Sequence, residues 1–558
     1  MIACIKNIQW RTAMSFGTQC NAGLAGVRAR RYALFVASSA LLALAGCASN
    51  GPGQRACAEA GPDVVCTPQG AVRGVAENGA LAFKGLPFAM PPTGSLRWQP
   101  PAPPDAWQGV RDGSRFGAVC PQLAGTNVVG DEDCLTLNVW KPQTLPSAPL
   151  PVMVFFTGGG NHAFSGQGAP GFGGVSYNGE RLVPEGVLYV SFNYRLGALG
   201  FLAHPALSAE RAEKISGNYG SLDQIAMLRW LQQNIAAFGG DPKRILLFGT
   251  SAGGGNICAL MTAPAARGLF HRAAMQASVP TGCELPTLAD AEDGTGRRVE
   301  QALGCGPGAT AACLRGKRAE EIVRAVPGTF GVLPRLYGPN VDGQLFPEQP
   351  LATIARGAHA HMPVIIGNST QETMLFVNAV GPVTDEASYR TAIGKTFGAD
   401  TVAPILAAYP AASYPSPKLA LVQLTTDALF TCQSRRVART LSRTQKAPVY
   451  RYLFAHALEN DPEQKALGAV HTVEHPFFFP WQGKYRPNDA DLNVQRTMVT
   501  HWTRFARRGD SGSPGGEWPS AERGDAHLVI AGTPAVQSGD GGAQCDFWDT
   551  VRLPWPHL

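Results

Sequence analysis

The 558-residue chain has no Cys-x-x-Cys pair and no cysteine–histidine cluster at metal-ligand spacing, so no zinc site is expected. It has no internal repeat, which excludes solenoid and propeller arrays. Its 65 glycines and 44 prolines follow no period, which excludes a collagen-like fibre and points to many turns between elements. With 45% hydrophobic residues it also lacks the polar bias of a disordered chain, and it is long enough to bury a large core. An excess of positive charge is missing where it would matter. Residues 1–46 carry Lys6, Arg11, Arg28, Arg30 and Arg31 and no acidic residue, so the formal +6 of the whole chain becomes +1 without them. No nucleic-acid-binding surface is implied, and no cofactor is expected.

Those first 46 residues carry a leader pattern instead. Arg28, Arg30 and Arg31 precede the uncharged run 32–46 (YALFVASSALLALAG), which is too short to span a bilayer comfortably. Residues 1–46 read as an export signal. The run ends Leu-Ala-Gly-Cys, which resembles a bacterial lipobox and would make Cys47 the lipidated first residue of a periplasmic or cell-surface protein. Ordinary cleavage near Ala45 to Ala48 is the alternative. Residues 47–66, small and polar with Gly and Pro, would then be a tether, and 67–558 a single domain. Cysteines in an exported chain read as disulfides. Short spacings suggest Cys57 with Cys66, Cys120 with Cys134 and Cys305 with Cys313, each worth roughly 2–4 kcal/mol.

Beyond the tether, apolar runs at 151–156, 187–192, 244–248, 362–366 and 449–454 alternate with helical patterns. Continuous apolar strands separated by helices predict an α/β fold with a mostly parallel central sheet flanked by helices. One predicted helix opens with Ser221 and Gln224 as a capping box and carries Ile225, Leu228, Leu231, Ile235 and Phe238 on one face. Gly239-Gly240 ends it, and Asp241-Pro242 turns the chain into strand 244–248. That strand runs directly into Gly249-Thr250-Ser251-Ala252-Gly253, after which 252–261 reads as helix.

Strand, sharp turn and helix is the setting of a nucleophile elbow, which presents a serine hydroxyl to substrate. The turn brings the residues two before and two after the serine together, so Gly249 and Gly253 are needed for their missing side chains. It also aims the Ala252 amide, at a helix N-terminus, toward a developing oxyanion. The run Thr157-Gly158-Gly159-Gly160 follows strand 151–156, where the amides of Gly159 and Gly160 could complete an oxyanion hole. Asn161, His162 and Thr250 are candidates to line the substrate pocket.

Further blocks make the pattern specific. Phe83-Lys84-Gly85-Leu86-Pro87-Phe88-Ala89 with Leu96-Arg97-Trp98, then 132–139 (EDCLTLNV), Asn193-Tyr194-Arg195-Leu196-Gly197 and Gly217-Asn218-Tyr219-Gly220 follow in order. In these blocks the chain resembles the type-B carboxylesterases, the cholinesterase-like branch of the α/β-hydrolase superfamily, with large loop and helical insertions in the fold. The resemblance implies a carboxylic-ester hydrolase acting on a small-molecule ester through a Ser-Glu-His triad. It points to Glu372, in Gly367-Asn368-Ser369-Thr370-Gln371-Glu372, as the acid and to His471, three residues before Glu474, as the base. Bulky esters, feruloyl, toxin or polyester, are an alternative substrate class, and a non-enzymatic binding protein is an alternative role. The resemblance also supports the pairs Cys120–Cys134 and Cys305–Cys313 and adds Cys432–Cys545. Cys258 reads as a buried small hydrophobe, and Cys283 has no assigned partner, a bridge to Cys258 or to the N-terminal pair being open.

Four positions depart from the family pattern. Thr250 stands where the family usually has glutamate, Thr157 and Asn161 replace the usual ends of the oxyanion segment, and Ala277 replaces a serine. Thr250 and Ala277 together imply less negative charge around Ser251, and hence a preference for neutral or anionic esters over cationic ones.

Overall fold

The computed structural model describes residues 61–169, 175–278, 283–481, 483–512, 518–522, 525–539 and 542–551. The export signal, Cys47 and Cys57 lie outside them. The chain divides into Met1–Ser49 and Asn50–Leu558, and every described residue belongs to the second unit.

Eleven strands form the central sheet. In chain order they are β1 Val75–Glu77, β2 Ala80–Pro87, β3 Thr136–Pro142, β4 Leu150–Phe156, β5 Leu188–Phe192 and β6 Gly240–Thr250. They continue with β7 Arg272–Gln276, β8 Val364–Ser369, β9 Val449–Phe454, β10 His527–Ile530 and β11 Ala535–Gln537. Their spatial order is β11-β10-β9-β8-β7-β6-β4-β5-β3-β2-β1. Every pairing from β5 to β10 is parallel, and antiparallel pairs occur only at the two margins.

The predicted parallel centre is therefore present, and its physical signature is burial on both faces. All five residues of β5 are buried. Alternation then sends successive residues of one strand to opposite cores: Val152, Val154, Phe156 and Leu247 join one cluster, whereas Met153, Phe155, Leu246 and Phe248 join the other. A third core, with Tyr389, Tyr409, Phe430 and Trp548, packs the helical insertion.

Helix α1, Tyr219–Asn234, begins earlier than the sequence pattern predicts. Asn218 is its N-cap, so Ser221 and Gln224 are buried inside the helix rather than forming a capping box. The reason lies in distant contacts. The Asn218 side chain donates to Asn340 O and Asp342, and Asp223 forms a buried pair with Arg195 at 2.7 Å, which fix the start of the helix from outside. The apolar face is as expected, with Ile225, Leu228, Leu231, Ile235 and Phe238 all buried, and Gly239 stops the chain at φ 89°.

The recurring sequence blocks meet as ion pairs and staples. Arg97 holds Glu132 through two hydrogen bonds of 2.7 and 2.5 Å. Disulfides join Cys120–Cys134, Cys305–Cys313 and Cys432–Cys545, the last closing a 113-residue separation. Cys258 is bonded to Cys283, so the first is not simply a small hydrophobe and the second is not unpaired. No helix among the described residues is long and apolar enough to cross a membrane.

Candidate active site

The C-terminal ends of β4, β6, β7 and β8 lie side by side, and the residues singled out by sequence follow directly from them. After β6 the chain turns at Ser251 with φ 61° and ψ −128°, then enters helix α2, Ala252–Thr262. A non-glycine residue in this conformation costs about 1–3 kcal/mol, so the surroundings must impose it. They do so through backbone. The Ser251 amide donates to Gln276 O at 2.9 Å, and a Cβ on Gly253 would stand 2.0 Å from Phe156 O. A Cβ on Gly249 would meet Phe156 at 2.7 Å. The two glycines are thus required by the close approach of β4, in keeping with the sequence argument.

The glycine run after β4 passes over the same turn. A Cβ on Gly158 would lie 2.8 Å from Thr250 O and 2.9 Å from Ser251 Cβ. Among the described residues, the amides of Gly159, Gly160 and Ala252 donate to no other protein group. They are free donors around the serine.

Glu372 and His471 arrive on two loops that are laced together. Gln371 N donates to Ala469 O at 2.9 Å, and Ala469 N returns a bond to Gln371 Oε1 at 2.8 Å. This brings His471 Nδ1 to 2.5 Å from Glu372 Oε2, while Glu372 Oε1 accepts the Ser369 amide at 2.5 Å. Glu372 is fully buried and His471 nearly so. Phe376 and Phe430 lie with their ring centres 5.6 Å from the imidazole, excluding water and strengthening the charge-assisted bond.

A serine on a strained elbow, free amides around it and a buried carboxylate–imidazole pair at the same sheet edge make up the chemistry of acyl transfer. Residues 61–548 match the family described as "Carboxylesterase family". The chain belongs to the carboxylesterase family. It is a carboxylic-ester hydrolase with an α/β-hydrolase fold. It is 35% identical over 502 residues to fumonisin B1 esterase of Sphingopyxis macrogoltabida, covering 85% of this chain and 87% of that one. It is 33% identical over 476 residues to para-nitrobenzyl esterase of Bacillus subtilis (strain 168), covering 82% and 92%. A solved PNB esterase superposes with a TM-score of 0.75 at 30% identity, covering 88% of this chain and all of that one.

The departures of this carboxylesterase from its family now have a physical setting. Thr250 is buried beneath the elbow, not in the pocket wall, and its Oγ1 donates to Glu474 Oε1 at 3.4 Å. Glu474 also accepts from Gln276 Nε2 at 3.0 Å and from the Tyr452 hydroxyl at 2.9 Å. Burial, and then the neighbouring Glu372, push the Glu474 carboxyl up to about 8. It therefore holds its proton at neutral pH. The contacts of Glu474 with β7 and β9 come from positions 198 and 22 residues away and leave no local signal in the sequence.

Asn161 is also not a pocket residue. It is fully buried, accepts from Tyr194 and Asn256, and donates to Tyr337 O, so its amide holds the glycine loop in place. His162 is partly exposed, lies tilted against Phe330 with ring centres 4.4 Å apart, and has Nδ1 3.1 Å from Gly160 O. Burial lowers its pKa, and Nδ1 donates to the Gly160 carbonyl. His475 is no rival base, because burial and then His471 push it down to about 3. No group of three His, Cys, Asp or Glu that could hold a metal occurs among the described residues.

Proposed function

We propose that this protein is a serine carboxylesterase working through an acyl-enzyme, with Ser251 as nucleophile, His471 as base and Glu372 as the acid that orients it. The observation that carries the reading is the His471–Glu372 pair, because it commits Nδ1 and leaves Nε2 as the nitrogen that takes the Ser251 proton. The imidazolium so formed lies against a buried carboxylate, then returns its proton to the leaving alcohol. The amides of Gly159, Gly160 and Ala252 hold the negative oxygen of each tetrahedral intermediate, and each such donor contributes about 10²–10³ in rate. Water repeats the sequence on the acyl-enzyme to release the acid.

Threonine at 250 and a protonated Glu474 leave little negative charge behind the nucleophile, which supports a preference for neutral or anionic esters. The names of the relatives refer to different esters, so the acyl and alcohol groups are not inherited from them. The basic leader, the lipobox-like 44–47 and the disulfides support an exported protein, anchored to a membrane through lipidated Cys47.

The test is a panel of matched cationic, neutral and anionic esters, run with wild type and Ser251→Ala. Loss of about 10⁶ in kcat is expected for the variant, and in the wild type the neutral ester should outrun its cationic partner. Hydrolysis undiminished in Ser251→Ala would end the proposed mechanism.

A further inference from the structure

Arg335 has no function in the scheme above, and its surroundings are unusual for an arginine. Its Nη2 is buried without a hydrogen-bond partner. No acidic side chain offsets the burial that holds its pKa down at about 10. Arg335 is half-buried as a residue, and a guanidinium nitrogen buried without a partner is unfavourable unless something else supplies one.

The guanidinium lies against Gly338, where a Cβ would stand 3.3 Å from its Cζ and Nε and 3.2 Å from the side-chain Nδ2 of Asn161. Asn161 directly follows Gly160, so the arginine abuts the loop that carries two of the proposed oxyanion donors. Arg335 lines a cavity of about 50 Å³ together with Arg298, Thr295, Tyr337 and Asp290. The other polar groups there are already engaged. Thr295 Oγ1 donates to Leu336 O at 3.0 Å, the Tyr337 hydroxyl to Val326 O at 2.6 Å, and Asp290 accepts from Thr287 Oγ1 at 2.6 Å. Arg298 is exposed and forms no ion pair among the described residues. The cavity is therefore lined by two arginines beside the engaged Asp290 carboxylate, and has room for a few waters or one small anionic group, not for a whole ester.

We propose that Arg335, with Arg298, forms a carboxylate-binding site against the oxyanion loop. A guanidinium offers a planar pair of N–H donors that matches the two oxygens of a carboxylate, and burial makes each bond stronger than at the surface. The carboxylate could be carried by the ester substrate or be a free acid. The substrate form of the proposal rests on the esterase reading, whereas the binding site itself does not.

Succinate titrated calorimetrically into the full chain at constant ionic strength, with chloride as control, tests the site without turnover. Saturable succinate binding is expected, weakened about tenfold or more in Arg335→Met and less in Arg298→Gln. Arg335→Lys keeps the charge but loses the fork, and serves if the methionine variant does not fold. Two kinetic arms separate the sources. If the carboxylate belongs to the substrate, Arg335→Met lowers kcat/KM about tenfold for 4-nitrophenyl hemisuccinate and leaves 4-nitrophenyl butyrate within about twofold. If it is a free acid, added succinate changes butyrate hydrolysis in wild type and not in the variant. Equal succinate binding by wild type and folded Arg335 variants, or no saturable binding at all, overturns the proposal while leaving the Ser251 mechanism untouched.

Discussion

The two halves of the proposed active site are held in different ways. On the nucleophile side, Ser251 is fixed by backbone: β4 presses on Gly249 and Gly253, and the serine amide is bound to the end of β7. On the acid–base side, Glu372 and His471 lie 99 residues apart and are fixed by side chains, their mutual hydrogen bond, the Gln371 lacing and two phenylalanine rings. The first half depends on what is absent, two Cβ atoms. The second depends on polar groups kept dry and fully partnered. Substitutions should accordingly fail by clash on one side and by lost chemistry on the other.

Glu372→Gln breaks the acid–base side with the largest expected effect. The amide preserves shape but cannot stabilise an imidazolium, and kcat should fall on the order of 10⁴-fold at little cost in stability, as steady-state kinetics and thermal melts would show together. Gly253→Ala attacks the other half. A Cβ 2.0 Å from Phe156 O cannot be accommodated without moving β4 or α2, so the melt should fall by an amount equivalent to about 3 kcal/mol. If Gly253→Ala retained full stability, the backbone account of the elbow would be wrong.

Glu474→Gln gives the most selective effect, one confined to a pH window. The Glu474 carboxyl is at about 8 in the folded protein against an ordinary value of 4.5. The native state thus keeps a proton that the unfolded chain releases, so its contribution to stability is complete below about pH 4.5 and is lost as pH rises through about 8. The glutamine variant has no such proton, and its stability should decline less than wild type over that window, by about 2–4 kcal/mol in chemical denaturation. Parallel pH profiles for the two proteins would contradict the buried, protonated assignment.

The same contrast explains what could be read from the sequence. The elbow was legible because strand, Gly-x-Ser-x-Gly and helix are contiguous, and the glycine run after β4 is local as well. Glu372 and His471 carried no local signal of their own and were named only because longer motifs surround them. Thr250 and Asn161 were misplaced into the pocket because burial depends on what packs over a residue: Glu474 in one case, and Tyr194 with Asn256 in the other. The start of α1 was missed for the same reason, since Asn340 and Asp342, more than 100 residues away, hold its N-cap. Cys258–Cys283 was one of several pairings that spacing alone allowed.

The most direct test of the central claim is covalent trapping with a phosphonate ester, read by intact mass and peptide mapping. The account predicts one adduct per chain, on Ser251, formed fully by wild type, slowed by about 10³ or more in His471→Ala and absent from Ser251→Ala. An adduct on another residue, or undiminished labelling of Ser251→Ala, would contradict it.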